Sequence, residues 1–507
     1  MNTFQFRDIY LDGENVPREK VVKIFRLPPG APQYFGRSTL IVGSRGCGKT
    51  MLFRYLKEKH NGIALHIPVT QVFPSITKQT GSGALEFDFP KELSQLIANK
   101  SSSLIALFIA DKLLAKQIRI EEKELLACLP ETVTSGYDDG KVLSFNNLIK
   151  DMEKLPLSQF NSFPETRPLC KFIEVCGENI ENAGKGSLLL LFDKTDSVPA
   201  PTLIPLIELL DQSSHYVALL GLRPGHGAKV LNDICSVAIP GDHYDFIHLG
   251  CNPRSSEWKQ FLLSSLEAQV GSFKEKGLSE NEIEAILITS RDSPRIGLAI
   301  CQAALCIQPD GKISIPNAIK DVCENALKTA DDSLHRWRRD FKNLVSELCK
   351  DVKDLGNGKI FIPVDLEIPH SKLFPEFTKV DEICAATLRF GVFQMPEGDK
   401  WTPLSRPRRF EIAPFALWEK ENPLWENSVK EKAEICIRRT EQQISHGQYG
   451  PPSPTIFIGY RMRFSVSEQF RYDLEDRIKS YPNLAHVKVE DGNVAIGVYC
   501  VRHQARL

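Results

Sequence analysis

Residues 38–60, STLIVGSRGCGKTMLFRYLKEKH, decide the fold of the N-terminal half of the chain. The stretch opens with a short apolar and β-branched run, passes through a glycine-rich turn, and continues into a segment whose apolar residues recur at helical spacing. The turn satisfies the pattern GxxxxGK(S/T) at every fixed position from Gly43 to Thr50. Because this turn joins a strand to a helix, the sequence predicts a loop that binds phosphate.

The residues of this loop predict a nucleotide site. Glycines let backbone N–H groups turn toward phosphate, and the N-terminus of the following helix adds favourable partial charge. The Lys49 ammonium is expected at the β- and γ-phosphates, and the Thr50 hydroxyl is expected to bind Mg²⁺. The cofactors predicted are therefore ATP and Mg²⁺. The predicted binding residues are Gly43, Ser44, Arg45, Gly46, Cys47, Gly48, Lys49 and Thr50.

Further apolar runs predict the other strands of a sheet. These runs are residues 63–69 (IALHIPV), 188–192 (LLLLF) and 216–221 (YVALLG). Short runs of this kind, alternating with helical sequence, predict a three-layer α/β domain with strands buried on both faces. A long helix is predicted from about residue 92 to 116. Its apolar part carries Asp111 and Lys112, so it is predicted to be buried within the domain and not to cross a membrane.

Asp193 follows the LLLLF run and is the predicted second ligand of Mg²⁺, held through water. A glutamate that orients the attacking water is expected directly after such an aspartate, but the sequence reads Asp193-Lys194-Thr195-Asp196. Lysine cannot act as a base while it is protonated. The alternatives are slow hydrolysis, a substitute carboxylate such as Asp196, or a protein that works as a nucleotide-dependent switch.

Two arginines are predicted to sense the third phosphate. Arg223, in YVALLGLRPG, follows the strand expected beside that of Asp193, and Arg295, in SRDSPRIGLAI, begins a helix of a predicted lid. A planar guanidinium pairs well with phosphate oxygens and stays charged. No arginine lies between Asp193 and Arg223. This absence weakens the hypothesis of a constitutive ring with an arginine finger from that stretch.

The chain after the nucleotide domain of residues 1–250 is predicted to hold smaller units. Residues 251–314 read as a helical lid with a capping box from Ser279 to Glu282. Residues 315–421 read as a helical linker and a winged-helix-like domain, in which VFQMP and RRFEI form the wing. Residues 422–454 read as a linker. Residues 455–507 read as a small α/β segment, either the opening part of a TIR-like or flavodoxin-like domain in a longer protein or a small α/β appendage.

The motifs GSRGCGKT, LLLLFDKTD, LLGLRPG and SPR occur in this order, and residues from about 20 to 310 resemble AAA+ P-loop ATPases of the origin-recognition initiator clade. They are also similar to the STAND signalling NTPases. The resemblance implies a helical lid, a following winged helix, and the roles given above for Lys49, Thr50, Asp193, Arg223 and Arg295. Lys194 departs from the initiator pattern, which has glutamate there.

The resemblance also implies partners. Initiator-like ATPases occur in bacterial anti-phage defence, which implies a switch or ATPase that forms a homo-oligomer or acts with a partner effector. Basic clusters around Trp337 and beside the wing predict an alternative, a loader that binds double-stranded DNA, although a solvated helix face explains them equally well. A non-hydrolysing scaffold is the third alternative. The basic residues are Arg336, Arg338, Arg339, Arg406, Arg408 and Arg409.

Composition bounds these hypotheses. The chain has 507 residues, enough for several domains, and a formal net charge of -1, which argues against a surface coated with basic residues. Its thirteen cysteines include no CxxC pair, so reduced thiols are expected and structural zinc is not. The amino terminus lacks the basic start and apolar stretch of a secretion signal. A cytoplasmic location without membrane contact is therefore expected.

Overall fold

The computed structural model describes residues 9–73, 91–134, 145–160, 167–195, 198–211, 213–223, 244–250, 255–306 and 314–337, and six short strands beyond them. The chain forms two compact units. The first consists mainly of Tyr10–Gly250 and the second mainly of residues from Cys251 onward.

The first unit is built on a five-stranded parallel sheet. The spatial order is β2-β3-β4-β1-β5, and each neighbouring pair runs parallel. The strands are β1 Thr39–Gly43, β2 Ile63–Pro68, β3 Leu188–Asp193, β4 Tyr216–Leu222 and β5 Asp245–Leu249. All residues of β1 and β3 are buried, which explains why their sequences are continuous apolar runs. The prediction of a mixed α/β domain with these first four strands is confirmed.

The fifth strand was missed by the sequence analysis. β5 lies at an edge of the sheet, beside β1, and most of its residues are only partly buried. An edge strand needs no continuous apolar run, and this one begins with Asp245 and carries His248 between its apolar residues. Its weak hydrophobic pattern therefore follows from its position.

Helices surround this sheet. They are α1 Arg18–Ile24, α2 Lys49–Lys59, α3 Val69–Val72, α4 Lys91–Leu114, α5 Glu122–Leu126, α6 Glu131–Thr134, α7 Phe145–Lys154, α8 Pro168–Asn182 and α9 Ile204–Glu208, with 3-10 turns at Gly13–Asn15, Leu157–Phe160 and Ala200–Leu203. Helix α2 packs on β2 and β3. An added Cβ at Gly221 would lie 3.0 Å from the Phe53 ring of α2, so this glycine lets the helix approach the sheet closely.

Helix α4 is the long apolar helix that the sequence predicted. Within the described ranges, Glu92–Leu114 is the segment long and apolar enough to cross a membrane, and 67% of its apolar window is buried. It packs against α7, α8 and α9. Its fully buried Lys100 donates hydrogen bonds to the carbonyl oxygens of Glu153 at 3.0 Å and Leu155 at 2.7 Å, and burial lowers the pKa of Lys100. These contacts tie α4 to the C-terminal end of α7.

The second unit contains four helices in its described part. They are α10 Ser256–Val270, α11 Glu280–Ser290, α12 Pro294–Cys306 and α13 Ile315–Trp337. The predicted capping box is present at the start of α11, where the Ser279 hydroxyl accepts from the Glu282 N–H and the Glu282 carboxylate accepts from the Ser279 N–H. Buried Trp258 donates from Nε1 to the Arg291 carbonyl at 2.7 Å and so joins α10 to the end of α11.

Two small antiparallel sheets follow. Their spatial orders are β6-β8-β7 and β10-β11-β9. The strands are β6 Lys359–Phe361, β7 Phe393–Gln394, β8 Arg409–Ile412, β9 Arg461–Met462, β10 Val489–Glu490 and β11 Asn493–Ala495. β7 and β8 are the predicted wing strands, and they pair antiparallel. The predicted helix of the winged domain, VDEICAATLRF, and the TIR-like strand of residues 456–460 lie outside the described residues, so both domains stay predictions.

Candidate functional site

The glycine-rich loop joins β1 directly to α2. Gly43 is the last residue of β1, and Gly48 is the residue before the first turn of α2. Gly46 and Gly48 have φ angles of 90° and 105°, a region that residues with side chains rarely adopt. Among the described residues, chain neighbours apart, no atom lies within 4 Å of the position that a Cβ on Gly48 would take. At Gly48, therefore, backbone conformation and not packing selects glycine.

The base of this loop is packed tightly. Cys47 is fully buried in a core cluster that includes Phe53 and Leu249. A Cβ on Gly43 would overlap the Cys47 Sγ atom and would lie 3.2 Å from the Leu249 Cβ atom. Only a residue without a side chain fits where Cys47 folds back on the end of β1. The glycine at position 43 is thus required by packing, and those at 46 and 48 by backbone conformation.

Lys49 is held by its own loop. Its Nζ atom donates to the carbonyl oxygens of Gly43 at 2.6 Å and Ser44 at 2.9 Å, and lies 3.8 Å from Cys47 Sγ. These partners are neutral, so a phosphate can replace them with a gain in electrostatic energy. The Ser44 Oγ atom is buried and has no hydrogen-bond partner within the described part of the chain. A buried hydroxyl of this kind is normally satisfied, so it fits a ligand that accepts or donates there.

Asp193 ends β3 and is almost fully buried, with 2% of its surface exposed. Its Oδ2 atom lies 3.2 Å from His66 Nε2, and its Oδ1 atom accepts from the Lys194 N–H at 2.9 Å. A buried carboxylate needs such partners. His66 lies on the neighbouring strand β2 and was missed by the sequence analysis. The available signal was a single polar residue in the apolar run IALHIPV, beside the strand that ends in Asp193.

Lys194 follows in a left-handed backbone conformation, with φ of 58°. Its ammonium forms an ion pair with the Glu14 carboxylate of the N-terminal turn, and both side chains are about one third exposed. The next residue, Thr195, donates from its hydroxyl to the Gly221 carbonyl of β4. This bond ties the segment after β3 to the neighbouring strand. Asp196, the predicted substitute carboxylate, lies outside the described residues.

Arg223 follows β4, the strand between β1 and β3. The prediction that this strand lies beside that of Asp193 is confirmed. Leu222 of β4 pairs with Val42 of β1, so Arg223 follows the end of β4 at the same height as Gly43 at the end of β1. Only 4% of the Arg223 surface is exposed. The strands of a parallel sheet all end on the same side, and open α/β sheets bind ligands at these carboxyl ends. The sheet therefore brings the phosphate loop, Asp193 and Arg223 to its carboxyl edge, the side on which all its strands end.

His248 adds to the electrostatics of this edge and was not predicted. It pairs with Val42 from the other side, on β5. Burial and the positive charge of Lys49 lower the pKa of His248 to about 4. His248 is therefore neutral near pH 7. It adds no positive charge to the site at this pH.

No cluster of three or more His, Cys, Asp or Glu side chains suited to a metal ion occurs among the described residues. Mg²⁺ is commonly held by one or two protein ligands together with substrate phosphates, and does not need such a cluster. Thr50, half-buried in the first turn of α2, and Asp193 fit that requirement. Their chemistry, a hydroxyl and a carboxylate, is the oxygen ligation that this ion prefers.

Arg295 lies in the second unit, in the first turn of α12, and is half-buried. A cation in the first turn of a helix is disfavoured by the helix dipole, so helix stability does not account for this residue. Its contribution to a nucleotide site stays a prediction. The basic clusters proposed for DNA lie outside the residues whose side chains are described, so that prediction also stays untested.

Comparison with known proteins gives only distant likenesses. No protein-family model matches the chain, and no curated protein matches it. Among solved structures, the chain is similar to a Walker-type ATPase of Pyrococcus abyssi, with 15% identity, a TM-score of 0.39, and coverage of 75% of this chain and 89% of the other. It is also similar to a STAND protein with a tetratricopeptide repeat sensor from Pyrococcus horikoshii, with 13% identity, a TM-score of 0.25, and coverage of 83% and 47%. Both superpositions are partial.

Proposed function

We propose that the first unit binds Mg-ATP at the carboxyl edge of its parallel sheet. The observation that carries this proposal is the loop from Gly43 to Thr50. It is a glycine-rich turn with Gly46 and Gly48 at positive φ, it lies at the N-terminus of α2, and its lysine is held by neutral groups of the same loop. A loop that keeps an ammonium and several N–H groups ready for a ligand is suited to phosphate.

The neighbouring residues supply the remaining parts. The loop N–H groups and Lys49 would bind the β- and γ-phosphates, and Thr50 and Asp193 would hold Mg²⁺, which neutralises charge on the phosphate oxygens when it is bound. His66 fixes the orientation of the Asp193 carboxylate through its Nε2 contact. Arg223, at the same edge, is suited to contact the γ-phosphate. These roles agree with those implied by the resemblance to AAA+ and STAND proteins.

The most specific function that this arrangement supports is a nucleotide-dependent switch or ATPase. A residue that contacts the γ-phosphate distinguishes ATP from ADP, because the contact is lost on hydrolysis. Arg295 in the lid is proposed as a second such residue. The clade, the role in defence, the oligomeric state and the effector partner remain proposals that rest on the sequence resemblance. Hydrolysis depends on which carboxylate orients water, since Lys194 cannot.

Equilibrium binding of Mg-ATP by the wild type, Lys49→Ala and Lys59→Ala tests the proposal. Lys59 is the matched control, because it is an exposed lysine at the other end of the same helix. Loss of a charge-assisted contact of about 1.5–3 kcal/mol should weaken binding by Lys49→Ala about 10- to 150-fold. Lys59→Ala should bind like the wild type. Equal affinity of Lys49→Ala and wild type would refute the proposed site.

ATP hydrolysis measured with the same proteins distinguishes an ATPase from a nucleotide-binding switch or scaffold. Phosphate release that needs both Mg²⁺ and Lys49 identifies an ATPase. Binding without such release identifies a nucleotide-binding switch or scaffold, and a change of mass on adding ATP then favours the switch. A mass that does not change with nucleotide counts against the assembly hypothesis.

A further inference from the structure

We infer that Glu14 is the carboxylate that orients the attacking water in this site, and that Lys194 holds it there as a positioning residue. This role rests on the proposed function, and it gives Glu14 the part of the glutamate that is expected, but absent, at position 194. Its starting point is the ion pair between Lys194, directly after the buried Asp193, and Glu14, far earlier in the chain.

The N-terminal strap, residues 10–16, is fixed across α2. An added Cβ at Gly13 would lie 2.8 Å from Met51 Cγ, so the strap touches the residue that follows Thr50. Arg54, one turn farther along α2, donates to the carbonyl oxygens of Gly13 and of Val16, the latter at 2.5 Å. The Asp12 side chain accepts from the Glu14 N–H at 3.3 Å and begins the turn. The position of Glu14 is therefore set by several contacts.

These contacts link the turn that carries Glu14 to the chain neighbours of both proposed Mg²⁺ ligands. Gly13, the backbone neighbour of Glu14, lies against the residue after Thr50, and the Glu14 carboxylate contacts the residue after Asp193. The γ-phosphate of a bound Mg-ATP must lie near both ligands. Asp193 itself is buried and already accepts two hydrogen bonds. The ion pair of Glu14 and the packing of Gly13 together join the N-terminal turn to the segments that follow both ligands.

The ion pair between Glu14 and Lys194 is weak enough for the Glu14 carboxylate to bind water as well. Both side chains are about one third exposed, and pairs of this kind contribute at most about 1 kcal/mol to stability. Glu14 can therefore accept a hydrogen bond from water at small cost while Lys194 keeps it in place. A lysine in the usual glutamate position is then explained as the tether of a glutamate supplied by another element.

The step itself is ordinary hydrolysis. The oriented water oxygen forms a bond to the γ-phosphorus, and the bond from that phosphorus to the bridging oxygen breaks. ADP leaves with the electron pair of that bond, and the protons of the water end on the inorganic phosphate. Lys49 would stabilise the charge that develops on the phosphate oxygens, and Thr50 and Asp193 would hold the Mg²⁺ that adds to this stabilisation when it is bound.

The test compares Glu14→Gln with Glu58→Gln in the full chain. Glu58 is the matched control, because it also joins the N-terminal region to α2, through Arg18 Nε at 2.7 Å. We expect Glu14→Gln to lower kcat by about 100-fold or more with Mg-ATP affinity unchanged. Glu58→Gln should keep the wild-type kcat. Turnover of Glu14→Gln at the wild-type rate would overturn the inference.

Other outcomes keep the two proposals distinct. A wild type that binds Mg-ATP but has no turnover dependent on Lys49 overturns the role of Glu14 and leaves nucleotide binding intact. A wild type that does not bind overturns both. If Glu14→Gln does not fold, as judged by circular dichroism, Lys194→Gln decides. A lowered kcat at unchanged KM supports the positioning role, and a wild-type kcat overturns it.

Discussion

A packing prediction at the phosphate loop follows from the contact between Gly43 and Cys47. In Gly43→Ala, the new methyl group would overlap the buried Cys47 sulfur and would sit 3.2 Å from Leu249 Cβ and 3.3 Å from the Leu249 carbonyl oxygen. The contact with Leu249 is tight but tolerable. The overlap with sulfur is not, because non-bonded heavy atoms favour separations of about 3.5–4.0 Å. The loop must therefore move before it can bind phosphate.

The expected magnitude is that of overpacking a core, about 1–3 kcal/mol. If the whole cost falls on the nucleotide-competent loop, Mg-ATP affinity drops about 5- to 150-fold. Adding Cys47→Ala removes the overlapping sulfur and leaves the contacts with Leu249. The double variant should therefore bind better than Gly43→Ala alone, with a coupling energy of at least about 1 kcal/mol in the favourable direction.

The assay is a titration with a fluorescent ATP analogue on the wild type, both single variants and the double variant. Gly36→Ala is the control, because an added Cβ there would lie 3.7 Å from the Tyr34 ring, an ordinary contact. It should bind like the wild type. Additive effects of Gly43→Ala and Cys47→Ala would refute the reasoning, since independent sites do not couple.

Further predictions concern other contacts. His66→Ala should lower the apparent affinity for Mg²⁺ in nucleotide binding about tenfold or more, as measured by Mg²⁺ titration. Binding of nucleotide without Mg²⁺ should stay the same. Equal Mg²⁺ dependence in the variant and the wild type would contradict the role of His66 at Asp193. The pKa of His248 is about 4 against 6.5 for the free group, so the unfolded chain protonates first as pH falls. The contribution of His248 to the free energy of unfolding is therefore complete above pH 6.5, and about 3 kcal/mol of it is lost as the pH falls toward 4. Urea unfolding at several pH values should show a smaller loss of unfolding free energy in His248→Gln than in the wild type. The same pH dependence in both proteins would contradict this prediction. Ser279→Ala should lower the unfolding free energy by about 1 kcal/mol, and no change in the urea midpoint would argue against the observed cap.

The sequence predicted the sheet wherever burial is complete. β1 and β3 are buried along their whole length, so their apolar runs are unmistakable. β5 escaped prediction because an edge strand shows a weaker pattern and because its neighbour β1 precedes it by some 200 residues, a pairing that no local pattern reveals. The capping box at Ser279 was predictable since all its parts lie within one turn.

The residues of the candidate site likewise differ in whether the sequence alone could predict them. The loop from Gly43 to Thr50 could be predicted because its chemistry is contained in eight consecutive residues. His66 and Glu14 could not, because each acts on a residue that only folding brings near, Asp193 and Lys194 respectively. Lys194 was identified as a departure from the expected glutamate, yet its meaning depends on the carboxylate that faces it.

The guanidinium of Arg54 has a consequence for where a separable nucleotide unit must begin. It is half-buried and spans two carbonyl oxygens of the N-terminal strap. A fragment that starts at α1 would take away both acceptors and leave this group without them, which typically costs 1–3 kcal/mol or more for a charged donor. A fragment that carries the nucleotide site should therefore start upstream of the first helix, and trimming to the helix boundary should yield a less stable fragment that also lacks Glu14.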